Sequence, residues 1–260
     1  MGGLDDKCLI YANKIRLTKH ISAGIILSVI KMLIKGFQKL TLLDFPGRTA
    51  CTVFTGGCNL RCPFCHNALL VTEMDDGYFA EEEIFAHIEK RKNVLDGIAI
   101  TGGEPLLQKD IERFLYELKE TGIAVKLDTN GCYPEKLEGI LQLGLVDYVA
   151  MDIKNCPEKY GKTVGIENFD IAPVEKSVDL LKNSGIEYEF RTTITKNFHT
   201  VDDIEKLAEW IQGTEHYFLQ NFVDSGQLID STCKGVSKAV MYEMLEKAQK
   251  YIPNAQIRGI

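Results

Sequence analysis

The chain of 260 residues is long enough for one large α/β domain or two small domains. Its 45% hydrophobic and 26% charged residues are typical of a globular protein and argue against disorder along the whole chain. The formal net charge of −7 argues against nucleic acid as a partner, because nucleic-acid binders usually carry a basic excess.

The regular pattern of the chain begins only near Gly36. Residues 20–34 form an apolar run that Lys31 interrupts, and this run is too short for a membrane span. We therefore expect residues 1–35 to be an extension outside the fold, residues 36–260 to be the folded domain, and no membrane partner. Met32 lies just before the pattern, so we hypothesise a natural start there, which the intact mass of natively expressed protein would test.

The eight cysteines are too sparse for a disulfide scaffold, and no secretory signal stands out. We expect a cytoplasmic protein, in which clustered cysteines more often bind metal or do chemistry. Cys132, Cys156 and Cys233 are scattered along the chain, and we interpret them as structural.

From residue 49 onward, short apolar or β-branched runs alternate with longer stretches of helical spacing. The predicted strands are Ala50–Thr55, Gly97–Thr101, Ala124–Asp128, Tyr148–Ile153, Tyr188–Ile194 and Tyr217–Phe222. The predicted helices are Ala80–Arg91, Lys109–Thr121, Pro134–Leu143, Pro173–Ser184, Val201–Ile211 and Ser237–Tyr251.

Six βα units in series predict an α/β fold with a mainly parallel sheet, either doubly wound or closed as a barrel. Polar, glycine-containing or charged segments follow four consecutive strands. These segments are Gly56-Gly57-Cys58, Gly102-Gly103-Glu104, Asp128-Thr129-Asn130-Gly131 and Asp152-Ile153-Lys154. Because the active site of a parallel barrel lies at the carboxyl ends of its strands, we expect these groups to share one rim.

The first of these segments opens a cysteine motif with the spacing C-x3-C-x2-C, formed by Cys58, Cys62 and Cys65. Three thiolates so close in sequence can converge on a soft metal centre. A four-iron cubane held by three cysteines keeps one iron open for another ligand. Zinc is the alternative, with His66 as a fourth ligand, although adjacent Cys65 and His66 make joint chelation awkward.

This motif, with Phe64 before the last cysteine, resembles the motif of the radical S-adenosylmethionine (SAM) superfamily. The segment Thr101-Gly102-Gly103-Glu104-Pro105 is similar to the GGE motif of that superfamily. The resemblance implies a partial (β/α)6 barrel, a [4Fe-4S] cluster on the three cysteines, and SAM bound at the open iron. It further implies that SAM is reductively cleaved to methionine and a 5′-deoxyadenosyl radical.

The resemblance also implies which residues contact SAM. Gly102, Gly103 and Glu104 would meet the amino group of its methionine moiety, and Phe64 would lie near the adenine. Asp152 and Lys154 match the D-x-K segment of glycyl-radical activases, which lines the SAM site. The remaining implied members of the cofactor site are His66, Asn130 and Arg191. For Glu104 and Asn130, ordinary helix-end and turn chemistry are the alternatives.

Two segments restrict the resemblance to particular groups within the superfamily. Residues 37–47 (FQKLTLLDFPG) are similar to the lead-in of anaerobic ribonucleoside-triphosphate reductase activating proteins, and Cys65-His66-Asn67 is typical of that group and of pyruvate formate-lyase activase. Pyruvate formate-lyase activase has a histidine late in its sequence, and the corresponding strand here, Leu219-Gln220-Asn221-Phe222, has none. This difference favours the reductase-activator group. The resemblance therefore implies a glycyl-radical enzyme, the anaerobic reductase large subunit, as partner and a flavodoxin or ferredoxin as electron donor.

Three other functions stay open at this point. The protein could activate pyruvate formate-lyase, or it could be a radical SAM enzyme that acts on a small molecule. A zinc-stabilised binding module without catalysis is the alternative from a different class. It would contain about one zinc ion and no inorganic sulfide.

Overall fold

A computed structural model gives the fold of residues 32–72, 79–224, 226 and 228–259. Its centre is one sheet of eight strands whose spatial order follows the chain. The strands are β1 (Ile34–Thr41), β2 (Ala50–Thr55), β3 (Gly97–Gly102), β4 (Ala124–Thr129), β5 (Tyr148–Asp152), β6 (Glu187–Ile194), β7 (Tyr217–Asn221) and β8 (Gln256–Arg258). β1 is antiparallel to β2, and every later neighbouring pair is parallel.

Helices connect the parallel strands. In the part of the chain that the structure describes, they are α1 (Ala68–Thr72), α2 (Glu81–Arg91), α3 (Ile111–Glu120), α4 (Pro134–Gln142), α5 (Tyr160–Val164), α6 (Ala172–Lys182), α7 (Val201–Trp210) and α8 (Lys238–Gln249). Six of the strands and six of the helices are those that the sequence predicts. The edge strands β1 and β8 do not pair with each other, so the sheet stays open. This architecture confirms a partial (β/α)6 barrel with a mainly parallel sheet.

The main core lies between the sheet and the helices. Ile98 and Ile100 alternate along β3 and are fully buried, and α3 presents Phe114, Leu115 and Leu118 to the core at helical spacing. The Phe114 ring meets the Phe85 ring edge-on, with 5.6 Å between the ring centroids. This layer fixes the strands, so the loops at their carboxyl ends start from a rigid base.

The inner face of the sheet is polar, because charged side chains alternate with the core positions along several strands. In β6 the Glu189 carboxylate is 1% exposed and accepts a hydrogen bond from the Tyr148 hydroxyl at 2.8 Å. It also accepts two hydrogen bonds from the Arg258 guanidinium of β8, both at 2.8 Å. The guanidinium carbon of Arg258 lies 3.3 Å from the Phe218 ring centroid. A paired charge inside the curve of the sheet thus ties β5, β6 and β8 together.

The sequence pattern does not predict β1 or β8. β1 shows no clean alternation, since Lys35 and Lys39 interrupt it and its register shifts twice against β2. β8 has only three residues, which is too short for a periodic signal. Residues 32–35 of the predicted N-terminal extension lie in the described structure: Met32 is 5% exposed, and Ile34, at which β1 begins, is fully buried. Residues 1–31 lie outside the described residues.

Among the helices that the structure describes, none has the length and apolar character needed to cross a membrane. Most of the apolar run at residues 20–34 lies outside the described residues.

The core packing gives a stability prediction. We expect Phe114→Ala to lower the free energy of unfolding by about 3–5 kcal/mol, because it leaves a cavity between α3 and the sheet. Leu43→Ala is the matched control, since the Leu43 side chain is 91% exposed and its removal should change stability by no more than about 0.5 kcal/mol. Urea unfolding of both variants measures this. Equal effects of the two substitutions would contradict the packing described here.

Candidate active site

One cleft opens at the carboxyl ends of the parallel strands, where the sequence predicts a shared rim. It is lined by the loop after β2, by the ends of β3 to β7 and by the residues that follow them. The lining side chains and glycines are Cys58, Leu60, Cys62, Phe64, Cys65, His66, Asn67, Val71, Thr101, Gly102, Gly103, Asp128, Thr129, Asn130, Asp152, Lys154, Arg191, Thr193 and Gln220. All predicted site residues except Glu104 therefore line the same cleft.

The cysteine loop is held by its own backbone. The Cys65 N–H donates to the Cys62 carbonyl at 3.0 Å, which closes a tight turn between these two residues. The Arg61 side chain donates to the carbonyls of Cys58 and Leu60 at 2.7 and 2.8 Å. The Leu60 N–H lies 3.4 Å from the Cys58 sulfur. These bonds explain how the C-x3-C-x2-C spacing brings three thiols to one wall of the cleft.

Burial keeps these thiols protonated when no metal is bound. It raises the pKa of Cys62 to about 12, and it also raises the pKa of Cys58 and of Cys65. The positive charge of Lys154 opposes this effect at all three sulfurs. The raised pKa values favour neutral thiols along this wall of the cleft.

The cysteine loop and the loop after β3 touch backbone to backbone. The Gly103 N–H donates to the Thr55 carbonyl at 2.8 Å, and the Glu104 N–H donates to the Gly57 carbonyl at 2.8 Å. A Cβ atom at Gly103 would lie 1.9 Å from the Gly57 carbonyl oxygen, which no side chain permits. Gly102 has a φ of +114°, and a Cβ atom there would lie 2.3 Å from the backbone nitrogen of Thr55. Both glycines are thus required by the approach of the two loops.

Glu104 lies beneath the cleft and does not line it. Its side chain is fully buried, and its Oε1 accepts hydrogen bonds from the Leu106 N–H at 3.0 Å and the Thr129 hydroxyl at 2.9 Å. Its Oε2 accepts from the Asn130 N–H at 2.7 Å. Burial raises the pKa of Glu104 to about 7, although the three donors favour the charged form. The carboxylate joins the loops after β3 and β4.

Asn130 connects the β4 loop to the cysteine loop. Its Nδ2 donates to the Asn59 Oδ1 at 2.8 Å and lies 3.7 Å from the Cys58 sulfur. Its Oδ1 accepts from the Cys132 N–H at 3.0 Å, which makes a local turn. Asn130 therefore serves both turn chemistry and the wall of the cleft.

A row of alternating charges crosses the ends of β4, β5 and β6. Lys126 pairs with Asp128. The Arg191 Nη2 donates to the second oxygen of Asp128 at 3.0 Å, and its Nε donates to Asp152 at 2.5 Å. The Lys154 Nζ completes the row with a 3.0 Å bond to Asp152. Three cations and two carboxylates thus form one row, which we call the charge ladder: Lys126, Asp128, Arg191, Asp152 and Lys154.

The ladder keeps its charges although it is buried. Burial alone would raise the pKa of Asp128 and Asp152, but Arg191 and the two lysines more than reverse this and lower both values. Asp152 raises the pKa of Lys154 against the opposing effect of burial. The row therefore carries an excess of one positive charge, which suits a carboxylate in the cleft.

Phe64 and His66 belong to the cysteine loop and also line the cleft. Phe64 is 4% exposed and packs near the rings of Phe198 and His199, with centroid separations of 5.8 and 6.2 Å. The His66 ring stacks on Phe222 at 5.0 Å, and its Nε2 lies 2.8 Å from the Val223 carbonyl. The position of His66 is thus fixed by the end of β7.

The sequence does not show the role of His199, whose side chain is 4% exposed. Its Nε2 lies 2.8 Å from the Lys154 carbonyl, and its Nδ1 accepts from the Thr195 N–H at 3.1 Å. His199 therefore holds the backbone at Lys154 and contacts the ring of Phe64.

Several lining residues are absent from the prediction. Asn67 donates from its Nδ2 to the Gly102 carbonyl at 3.2 Å. Thr193 and Gln220 line the cleft from β6 and β7. The period of two along a strand could have identified Thr193, because it lies two residues after Arg191 and thus on the same face.

The donor set of the cleft fits an iron–sulfur cluster. Cys58, Cys62 and Cys65 line the same cleft, and three thiolates are ligands that a [4Fe-4S] cluster takes from a protein, with one iron left for another ligand. Zinc would need a fourth ligand, and the Nε2 of the candidate His66 lies 2.8 Å from the Val223 carbonyl.

Comparison with known proteins gives the family. A family model described as the radical SAM superfamily matches residues 52–211. A protein of Methanocaldococcus jannaschii named for the activation of glycyl-radical enzymes is 36% identical over 242 residues, which cover 88% of this chain and 97% of that protein. The pyruvate formate-lyase-activating enzyme of Listeria monocytogenes is 30% identical over 189 residues, 67% of this chain and 74% of that enzyme.

This chain therefore belongs to the radical SAM superfamily. More narrowly, its relatives place it in the group of glycyl-radical-enzyme activating enzymes. As a member of this superfamily it uses a [4Fe-4S] cluster and SAM, which decides the open question between cluster and zinc in favour of the cluster.

Solved structures confirm the fold. Streptococcus suis SuiB bound to S-adenosylmethionine aligns with a TM-score of 0.62 at 17% identity, over 78% of this chain and 48% of SuiB. A domain of the pyruvate-formate lyase-activating enzyme from Bacteroides vulgatus aligns with a TM-score of 0.51 at 18% identity, over 63% of this chain and 99% of that domain. The chain thus spans about half the length of SuiB.

The contact between Gly57 and Gly103 gives a prediction for metal content. We expect Gly103→Ala to push the cysteine loop away from β3, so that the anaerobically reconstituted protein loses most of its iron and sulfide. Gly139→Ala in α4 is the control, because only a side-chain atom 3.9 Å away faces that position and alanine favours a helix. Iron and sulfide assays measure this. Full loading of Gly103→Ala would show that the loops do not need this close approach.

Proposed function

We propose that this protein activates a glycyl-radical enzyme, with a [4Fe-4S] cluster on Cys58, Cys62 and Cys65 and with SAM in the adjoining cleft. One observation carries the proposal: the three thiols line the same cleft as three members of the charge ladder, Asp152, Lys154 and Arg191. With both cofactors bound, reductive cleavage of SAM supplies a 5′-deoxyadenosyl radical, which takes a hydrogen atom from a glycine Cα of the partner.

Apart from Glu104, the residues predicted to contact SAM line the cleft, which supports the proposal. The backbone of Gly102 and Gly103 is exposed to the cleft beside the cysteine loop and would receive the methionine amino group. Lys154 and Arg191 are the cations of the ladder that line the cleft, and they would pair with the methionine carboxylate. The ring of Phe64 offers an apolar surface for the adenine, and His66 and Asn130 would border the ligand.

Glu104 has a different role in this proposal from the one that the resemblance implies. Its carboxylate already accepts three hydrogen bonds from the protein and does not reach the cleft. It would therefore act as a positioning residue, which holds the backbone of Gly103 and Asn130 where SAM needs them. Asp128, which itself lines the cleft, would orient Arg191, whose Nη2 donates to it.

We propose the anaerobic ribonucleoside-triphosphate reductase large subunit as the partner. Two features support this choice: residues 37–47 are similar to the lead-in of reductase activators, and β7 ends with Gln220 and Asn221 rather than with a histidine. Pyruvate formate-lyase is the second candidate, because the Listeria monocytogenes relative is named for its activation. A flavodoxin or ferredoxin would supply the electron.

The partner can be tested directly. The reconstituted protein is mixed under anaerobic conditions with SAM, dithionite and the reductase large subunit of the same organism, and electron paramagnetic resonance (EPR) detects the glycyl radical. We expect a radical on the reductase, none with Cys65→Ser, and an unchanged yield with Cys233→Ala, which removes a cysteine outside the cleft. Parallel reactions contain pyruvate formate-lyase instead.

Each other outcome would correct the proposal. A radical on pyruvate formate-lyase alone would move the assignment to that partner. If 5′-deoxyadenosine forms but neither protein acquires a radical, a small-molecule substrate becomes the better explanation.

A further inference from the structure

Two N–H groups donate to the sulfur of Cys58. The Leu60 N–H lies 3.4 Å from this sulfur, and the side-chain Nδ2 of Asn130 lies 3.7 Å from it. The first donor belongs to the cysteine loop itself, whereas the second belongs to the loop after β4, 72 residues further along the chain. Cys58 therefore receives a hydrogen bond that its own loop does not provide.

The orientation of the Asn130 carboxamide is fixed by its partners. Its Oδ1 accepts from the Cys132 N–H at 3.0 Å, so the oxygen must face that backbone donor. One hydrogen of its Nδ2 goes to the Asn59 Oδ1 at 2.8 Å, which leaves the other for the Cys58 sulfur. A carboxamide turned the other way would set its NH2 group against the Cys132 N–H. The nitrogen is thus the atom that faces Cys58.

The backbone around Asn130 is held in place as well. Asn130 is 5% exposed, and its N–H donates to the Glu104 Oε2 at 2.7 Å. The next residue, Gly131, donates from its N–H to the Thr129 hydroxyl at 3.2 Å and accepts at its carbonyl from the Ser177 hydroxyl at 2.7 Å. The donor to Cys58 is therefore presented by a fixed loop.

Turn chemistry explains only half of the Asn130 side chain. The turn uses the oxygen alone, which an aspartate or a serine could also supply. The Nδ2 takes no part in the turn, and its two hydrogens go to the cysteine loop. Asparagine combines an acceptor for the turn with a donor for this loop.

We propose that Asn130 donates this hydrogen bond to the Cys58 sulfur when the sulfur is a cluster ligand, and that the bond raises the reduction potential of the cluster. The inference rests on the cluster site of the proposed function. Reduction adds negative charge to the cluster, so a donor at a ligand sulfur stabilises the reduced form more than the oxidised form. Asn130 is thus a positioning residue that acts on the cluster through Cys58.

Asn130→Ser tests the effect on the potential. Serine keeps an oxygen for the turn, but its shorter side chain has no amide donor for Cys58. At the wild-type midpoint we expect the ratio of reduced to oxidised cluster to fall about threefold, or about 28 mV for one electron. EPR-monitored redox titration of the loaded proteins measures this. It is done without SAM, so that no contact between Asn130 and SAM contributes.

Asn197→Ala is the matched control for the loss of a carboxamide. Asn197 is exposed, and its side chain binds only backbone groups, the Thr232 carbonyl at 3.4 Å and the Lys234 N–H at 3.1 Å. It does not line the cleft. The potential of Asn197→Ala should equal that of the wild type.

The wild type gives a second readout that needs no substitution at Asn130. Asparagine labelled with nitrogen-15 in its side-chain amide is incorporated during expression, and pulsed EPR of the reduced cluster detects nitrogen coupled to it. We expect a nitrogen-15 coupling in the wild type. It should persist in Asn59→Asp and in Asn67→Ala, which remove the other two asparagine amides of the cysteine segment.

Three results would overturn the inference. One is an unchanged potential in fully loaded Asn130→Ser, and another is an equal fall in Asn197→Ala. The third is a wild type without coupling to an asparagine amide, which decides the question even where Asn130→Ser binds too little cluster to titrate. Failure of the wild type to bind four irons and four sulfides would instead contradict the proposed function.

Discussion

The buried carboxylate of Glu104 is the interaction on which the rest of the site depends. It accepts hydrogen bonds from the loop after β4, while its own N–H donates to the Gly57 carbonyl of the cysteine loop. Three loops from neighbouring strands are therefore held by one residue. A buried carboxylate is costly without partners, and the three donors offset that cost. The parallel sheet brings the loops near each other, and Glu104 fixes their relative positions.

The other charges of the site follow the same rule that a buried ion must be paired. Arg191 lies between two carboxylates, and Lys154 pairs with the outer one. The thiols differ, because burial raises the pKa of all three and favours their neutral form. The charges of the ladder are thus paired within the protein, whereas the thiols line the same cleft as neutral groups.

How much could be predicted depends on whether a feature is local in sequence. The helical crossovers have a clear helical periodicity, and the cysteine motif has a defined spacing. The structure confirms the six predicted strands beside which these segments lie. β1 and β8 have no such pattern, because β1 is irregular and β8 is too short. The sequence also does not predict contacts between segments that are distant along the chain. Sequence spacing cannot show that Glu104 binds Thr129 from below the cleft, or that His199 reaches the Lys154 carbonyl 45 residues away.

The formation of 5′-deoxyadenosine from SAM tests the central claim most directly. The anaerobically reconstituted protein is incubated with SAM and dithionite, and the product is quantified beside Cys65→Ser and Cys233→Ala. The account predicts 5′-deoxyadenosine from the wild type and from Cys233→Ala, and none from Cys65→Ser. Absence of product from a wild-type protein that demonstrably holds a full cluster would contradict the assignment of the cleft as a site of SAM cleavage.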